Sequence, residues 1–566
     1  MKTRVRDLMG QGDSLFGRRA AAESLWQQIA ENFHPMRADF TRDYTESTVW
    51  FEGLMTGEPV LAHRELSDQL AAMLRPKGKD WFSITVEDER IAEDSAAKAW
   101  LQQKAATMRR IMYDRRSGFH RTVKEGDGDF CAFGQTALSI ELNETRDGLL
   151  YRCWHLRDCA WAENRNRAVD TMHRRWKLPA REVVKMWPTK ADAKLKELAQ
   201  KDPQHLVHLR HIVLPADDYD FVNPVSRRQA ARFPFIGIFI DCDHDTILEE
   251  TPLVRSPYVV PRWVTVSGSA YAHSPAAVIG LPDARLLQQI NYTLLETAEK
   301  AANPPMVAQG DKIQGGLNVY PGGVTWVDSD YDERTGESLR VLDAVAGKTG
   351  IQFGLTMAER AENMIKRAFY LDRLNLPPVG AAMTATEVRT RVEEFIRAAL
   401  PLFEPMETEY NGALCEETFN LALENGAFGN LQDMPPILRG QELRWTFESP
   451  LQVAQGREKA QAFLEAGQLL AAAVQMDPQN AVEFDSRQAF RDGLDGIGEP
   501  SWITEDGQAQ KARAQAAQRQ KEALAAQHVA QVAGAAQQVG SAVGEAQAAG
   551  LLPAPAQAPQ VEGAPV

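Results

Sequence analysis

Long apolar runs are missing from this 566-residue chain: each is short and interrupted by charge, so no stretch offers the ~20 apolar residues that a bilayer requires. A secretory leader is missing too. The opening MKTRVRDLMGQGDSLFGRR is basic but has no apolar region behind it, so the product is expected to stay in the cytoplasm where it is made. Cysteine is scarce. The five residues Cys131, Cys153, Cys159, Cys242 and Cys415 are odd in number and scattered singly, which argues against a disulfide framework and predicts reduced, mostly buried thiols. Cys153 and Cys159 flank His155, but the gap between them is wider than zinc sites use, and no metal is expected.

Positive charge is in deficit. With 63 Lys and Arg against 77 Asp and Glu, the net charge is −14, whereas proteins that grip DNA release counterions through clustered cations. Catalytic signatures are absent as well. Gly347-Lys348-Thr349 ends like a phosphate-binding loop, yet Leu342 stands where the first glycine belongs. Asp241, Asp243 and Asp245, with Glu249 and Glu250 beyond, begin like a calcium loop. Thr246 replaces the turn glycine and Pro252 the closing glutamate, so a polar hairpin end is expected instead. No nucleophile elbow, HExxH helix or dinucleotide fingerprint occurs, and the 11 histidines form no set with nearby acids. No catalytic residue, cofactor or metal is assigned.

What is present is a chain long enough for several cores, with a hydrophobic share of 44% and a charged share of 25% that suit a folded, multi-part subunit. Apolar spacing predicts a helix over 14–33 with Leu15, Ala22, Leu25, Trp26, Ile29 and Phe33 inward, stopped near Pro35. A polar loop over 41–59 follows, then a helix bearing Leu66, Leu70, Met73 and Leu74 that Arg75-Pro76 closes, then a strand over 81–86. A helix over 96–113 puts Trp100, Leu101, Met108, Ile111 and Met112 on its apolar side. Lys104, Arg109 and Arg110 fall on the other side and read as solvated. Strands dominate 136–214 around a short helix at 179–187, and return at 235–240 and 258–266.

The chain is organised around 274–423. Leu281-Pro282-Asp283 reads as a helix start, because proline is at ease in a first turn and aspartate favours the positive end of the dipole. Leu286, Leu287, Ile290, Leu294, Leu295 and Ala298 then recur at helical spacing until Asn303-Pro304-Pro305, giving a rod of roughly 30 Å. Over 306–345 the pattern shifts to short β-like runs between glycine-rich turns, and helical spacing returns at Leu355, Ala358, Ala361, Ile365, Ala368 and Phe369. The stretch LDRLNLPPVGAAM (371–383) is expected to be non-helical, given two prolines and a glycine at its centre. Thr384 to Glu387 matches a capping box. The helix it opens carries Val388, Val392, Phe395 and Ile396, kinks at Pro401, and continues through Phe403, Met406, Tyr410, Leu414 and Phe419 toward Gly426. Helices are expected over 451–475 and 485–494. The Ala- and Gln-rich 505–552 has high propensity but little to bury, so it is stable chiefly when bundled with copies of itself, and 553–566 is expected to be disordered.

This order of helix, extended excursion, helix, Pro/Gly loop, MTATEVRTRVEEF and a long helix containing PLFEPMETEY resembles the portal (head-to-tail connector) proteins of short-tailed bacteriophages. The likeness extends to LSDQLAAMLRPKGKDWFSITV and to the Ala/Gln-rich end. It implies an α+β, mainly helical subunit of a dodecameric ring at one capsid vertex, through which a terminase motor pumps genomic DNA and through which DNA later exits. It also implies a wing (1–273), two stem helices (274–303 and 351–370), a clip (304–350), a tunnel loop (371–383), a long kinked wing helix with its connection (384–450), a crown (451–504), a C-terminal helical barrel-like segment (505–552) and a disordered tail (553–566). The partners implied are other copies of the chain, the large terminase, major capsid and scaffolding proteins, a tail adaptor, and double-stranded DNA passing non-specifically, with no membrane. An acidic average surface suits such a passage, since tight contacts would act as brakes.

By the same resemblance, Arg373, Asn375, Pro377, Pro378 and Gly380 belong to the tunnel loop, with Lys366 and Arg367 as alternatives for lumen-facing charge. Lys312, Asn318, Tyr320, Trp326 and Asp328 belong to the clip that meets partners. The rival readings are a cytosolic enzyme with an inserted β excursion and another ring-forming virion component, the latter usually a far shorter chain.

Overall fold

The computed structural model describes residues 2–42, 53–76, 80–92, 94–219, 233–302, 348–374, 406–430 and 433–447, with short pieces of strand between 306 and 341 and of helix between 463 and 541. Met1–Ala454 form one compact unit and Gln455–Val566 a second.

Helices α1 (Lys2–Arg18), α2 (Ala20–Phe33) and α3 (Glu58–Leu74) lead into strand β1 (Phe82–Val86), then α4 (Glu89–Ala92), α5 (Ser95–Met112) and α6 (Phe119–Phe133). Two departures from the sequence expectation lie here. The 14–33 helix is in fact two helices broken at Arg19, which is buried and whose guanidinium donates to the carbonyls of Leu156, Arg157 and Cys159. On α5, Lys104 is not solvated: it is buried and its Nζ donates to the Phe428 carbonyl at 2.8 Å, while Arg109 donates to the Phe82 carbonyl at 2.9 Å. A cation on the polar side of a helix still buries when its long stem lets the ammonium reach an unpaired carbonyl.

Strands β2 (Ala137–Leu142), β3 (Leu149–Trp154), β4 (Cys159–Glu163) and β5 (Val169–Pro179) are followed by α7 (Ala180–Met186), α8 (Ala193–Lys201) and β6 (Leu206–Pro215). Next come β7 (Phe235–Asp241), β8 (Thr246–Leu253) and the short β9 (Tyr258–Val259), β10 (Val264–Thr265) and β11 (Ala272–His273). β4 to β8 form an antiparallel five-stranded sheet in sequence order, and β3-β2-β9 a three-stranded one. The larger sheet is covered on both faces, and its period-2 alternation shows how. Val207 and Leu209 pack under α7 and α8 with Ala180, Val183 and Leu195, whereas Ile212, Leu214, Ile236, Ile238 and Ile240 pack with Val5 and Leu8 of α1. The β7–β8 connection is the polar hairpin end expected at Asp241, whose carboxylate accepts from the backbone N–H groups of Asp243 and His244.

The remaining elements of the first unit are α9 (Pro275–Ala302), the strand pieces β12 (Met306–Ala308), β13 (Ile313–Gln314), β14 (Trp326–Val327) and β15 (Leu339–Val341), then α10 (Lys348–Ala368) and α11 (Leu371–Leu374). A π-helical turn (Glu407–Gly412), α12 (Ala413–Glu424) and β16 (Leu443–Phe447) complete it. β16 pairs antiparallel with β1, Phe82 opposite Phe447, so a distant segment closes the amino-terminal core. Met406, Tyr410, Leu414 and Phe419 are buried, as the stripe toward Gly426 requires. The capping box at Thr384, the stripe from Val388 to Phe403 and the Pro401 kink lie outside the described residues. In the second unit, 463–470 is helical and the Phe463 and Phe490 rings sit 5.8 Å apart.

Candidate functional site

The candidate site is built on the antiparallel pair α9 and α10. Its register is read from two close approaches: a Cβ on Gly280 would lie 3.2 Å from Phe369, and one on Gly354 would lie 2.9 Å from a Leu294 methyl. Glycine at 354 leaves room for the Leu294 side chain directly against the α10 backbone.

α9 begins at Pro275, not near Leu281. Ser274 supplies the cap: its Oγ accepts from the Ala277 N–H at 3.2 Å and donates to the Cys131 carbonyl at 2.5 Å. Pro282 is therefore inside the helix, where it cannot donate to the Val278 carbonyl. The apolar stripe also differs from expectation. Ala276, Ala277, Leu281, Ala284 and Leu287 are buried, but Leu286 and Leu295 are exposed along with Tyr292. On α10 the root residues Ala358, Ala361, Ile365 and Ala368, with Phe369 just beyond its end, are buried, whereas Phe353 is 68% and Leu355 52% exposed. The pair is thus embedded at one end and carries bare apolar side chains at the other.

The expected tunnel-loop segment is not wholly irregular. Tyr370 adopts a left-handed conformation (φ 57°), which breaks the helix, and Leu371–Leu374 then form one further helical turn that includes Arg373. Both prolines come after it, so nothing in 371–374 forbids a helix. Asn375, Pro377, Pro378 and Gly380 lie outside the described residues. Lys366 pairs with Glu58 of α3 at 4.0 Å, and Arg367 is exposed with no ion-pair partner among the described residues. Of the clip residues, Trp326 lies on β14, which pairs with β13, while Lys312, Asn318, Tyr320 and Asp328 lie outside the described residues.

What the sequence reading missed is the anchor beneath the pair. α6 is buried from Gly126 to Phe133 although it contains Gly-Asp-Gly-Asp, a pattern that hides helical periodicity. Asp127 pairs with Arg75, which also donates to Asn411 Oδ1 at 2.6 Å and stacks over the Tyr410 ring. Asp129 accepts from Arg37 at 3.0 Å. Burial pushes the Asp129 carboxyl up, but Arg37 and His34 beside it more than offset this and hold it down to about 2. The left-handed glycines Gly118 and Gly134 at the two ends of α6 were the available signal.

Three buried histidines stay neutral. Burial and the neighbouring His34 push His63 down to about 3, burial and Arg210 push His173 down to about 3, and His211 lies well below its ordinary value for the same reasons of burial and nearby Arg174. In the unfolded chain each protonates near pH 6.5; the folded form does not, so acid favours unfolding. The urea midpoint is expected to fall steadily from pH 6.5 toward pH 4, each such proton steepening the dependence by up to about 1.4 kcal/mol per pH unit. His173→Leu removes a ring whose two nitrogens have no partner and should flatten that slope; an unchanged slope would refute the assignment.

Among the described residues no group of three His, Cys, Asp or Glu side chains converges to hold a metal, and no helix is long and apolar enough to cross a membrane. Cys153 faces Asp129 and Thr136, and His155 pairs with Asp39 at 2.7 Å.

The first unit thus combines a helical and sheet-bearing body with an antiparallel helical pair whose two rods are separated in sequence by short strand pieces. Residues 6–504 match the model for the bacteriophage head to tail connecting protein family, and the chain belongs to that family. Among its relatives, the probable portal protein of Bordetella phage BPP-1 is 24% identical over 462 residues, covering 80% of each chain. The portal protein of Salmonella phage epsilon15 is 21% identical over 552 residues, covering 94% of this chain and 93% of its own. A chain from the virion of a native gene transfer agent particle aligns with 78% of this one and 94% of its own at 10% identity, with a TM-score of 0.34.

Proposed function

We propose that this chain is a phage portal protein whose copies form a dodecameric ring at one capsid vertex. Family membership supports the portal assignment, and portal proteins are structural rather than catalytic. In this reading the ring is the channel for genome packaging by the large terminase and for ejection, contacts the capsid and scaffolding proteins, and is the attachment site of the tail adaptor. It is assembled in the host cytoplasm. The body of 1–273 is the wing, α9 and α10 are the stem, 304–350 is the clip, 451–504 the crown, and 371–383 the tunnel loop, in which Arg373 and Asn375 are the polar residues nearest the DNA and Pro377, Pro378 and Gly380 suit a hinge, with Lys366 and Arg367 as alternatives for lumen-facing charge.

The single observation that carries the ring is the unburied apolar end of the helix pair. Tyr292, Leu295, Phe353 and Leu355 are each more than half exposed among the described residues, and heterologous contacts repeated around a closed cycle would cover them. Light scattering with negative-stain imaging should find large annular particles, and a solitary chain at high concentration would sink the proposal. Phe353→Glu should raise the concentration needed for assembly about tenfold, as loss of one central apolar anchor does at other interfaces, while leaving the fold of the chain unchanged by circular dichroism. Assembly indifferent to that substitution would move the contact elsewhere.

A further inference from the structure

A cleft of about 1000 Å³ opens between α1, the 40–42 segment and the α1-facing side of strands β5 and β6. Arg42, Arg157, Arg175, Lys177 and Arg210 line it against two carboxylates, Asp158 and Asp243, although the chain as a whole carries a net −14. Both carboxylates are already engaged: Arg157 donates to Asp158 at 3.2 Å, and Asp243 accepts from the His208 N–H at 2.9 Å. Among the cations, Arg42 pairs with Glu31 at 3.3 Å, Arg157 donates to Asp39 as well as Asp158, and Arg175 donates to the Arg157 carbonyl at 3.1 Å, which leaves Lys177 the least engaged. Lys177 is exposed and has no ion-pair partner among the described residues, and the Arg175 side chain, 45% exposed, reaches Asp158 only at 3.9 Å. Deeper in, Arg210 is 6% exposed. It donates to the Met9 carbonyl and to Asp13, and its Nε has no partner.

The strand register sets the spacing of these charges. Arg175 stands opposite Arg210 and Lys177 opposite His208, so all four share one face of the sheet. Arg175 and Lys177 are two residues apart on a strand and therefore present their charges roughly 7 Å apart, the distance that also separates alternate side chains of an extended peptide. Leu206, on the same face, is 51% exposed, and Met9 lines the opposite wall.

We infer that this cleft takes an extended segment of a partner protein with acidic side chains at alternate positions and apolar ones between them. Carboxylates two apart meet Arg175 and Lys177 on the sheet wall, and the intervening apolar side chains meet Met9 on the α1 wall. A phosphate backbone would match the cations but would leave Leu206 and Met9 without use. A duplex, much wider than one extended chain, would also sit across the mouth instead of entering.

The test is fluorescence anisotropy with the full-length protein and a labelled peptide of repeated Glu-Leu, against a Lys-Leu peptide and a short DNA duplex as controls. Glu-Leu binding is expected, weakening as salt is raised. The double variant Arg175→Glu, Lys177→Glu should weaken it about tenfold or more, and Leu206→Ser by a smaller factor. Both cations are exposed, and Lys177→Glu alone remains available should the double variant fold poorly. Three results would overturn the inference: peptide binding indifferent to these substitutions, displacement of the peptide by the duplex, or no peptide binding with loss of self-association in the variants, which would make a second copy the occupant.

Discussion

Replacing Asp127 with alanine is expected to destabilise the isolated chain by about 3–5 kcal/mol, because it strands the Arg75 guanidinium in a protein interior with its main partner gone. Arg75 is 6% exposed and Asp127 2%, so water cannot take over the lost contact. The loss should be visible as a lower urea midpoint followed through the buried tryptophans, Trp26, Trp81 and Trp161. Arg75→Ala leaves the converse orphan, an anion beside Tyr410, and should cost a comparable amount. Combining Arg75→Met with Asp127→Leu removes both charges and should recover most of the loss, since a well-packed apolar pair often equals a buried ion pair. If either single variant matches the parent protein, the network is an ornament to the core and not its anchor.

Gly134→Ala is expected to abolish soluble folded protein. The residue has φ 73°, and a Cβ there would lie 2.1 Å from the His273 carbonyl carbon and 2.3 Å from the Ser274 nitrogen. Both obstacles are backbone atoms at the entry to α9, and neither can rotate away. The Gly134 carbonyl also accepts from the Trp263 N–H at 2.7 Å, so any shift disturbs a second segment. A cost on the order of 4 kcal/mol or more follows. Gly440 provides the comparison: it too has a positive φ, 80°, but nothing lies within 4 Å of a Cβ there. Gly440→Ala should therefore cost only the left-handed penalty of about 1–2 kcal/mol. Equal losses at the two sites would show that conformation, and not the clash, governs position 134.

The sequence made the rods legible because helical periodicity survives in residues such as Ala361, Ile365 and Phe369, which bury whatever the neighbours are. It misplaced the start of the first rod because Pro282 looks like a first-turn proline, and only the long-range contact of Ser274 with Cys131 reveals the true cap. Burial of Lys104 was illegible for a similar reason, since its acceptor is the carbonyl of a residue more than three hundred positions away. The Gly-Asp-Gly-Asp run in α6 has low helix propensity, and its two buried carboxylates are matched by the half-buried Arg37 and the buried Arg75 from elsewhere in the chain. The pairing of β1 with β16 likewise joins strands that carry no mutual mark in the sequence. Of the tunnel-loop residues, composition pointed to a Pro/Gly connection but gave no hint that Tyr370 would turn left-handed and restart a helix at Leu371.

The proline inside the first rod has a mechanical corollary. Pro282 lies within the buried root of that rod, between Leu281 and Ala284, so the place where a backbone hydrogen bond is absent is also a place where side-chain packing holds the helix. A push delivered at the far tip that bent the rod at this joint would have to drag Ala284 and Leu287 against the body, so the two would move together.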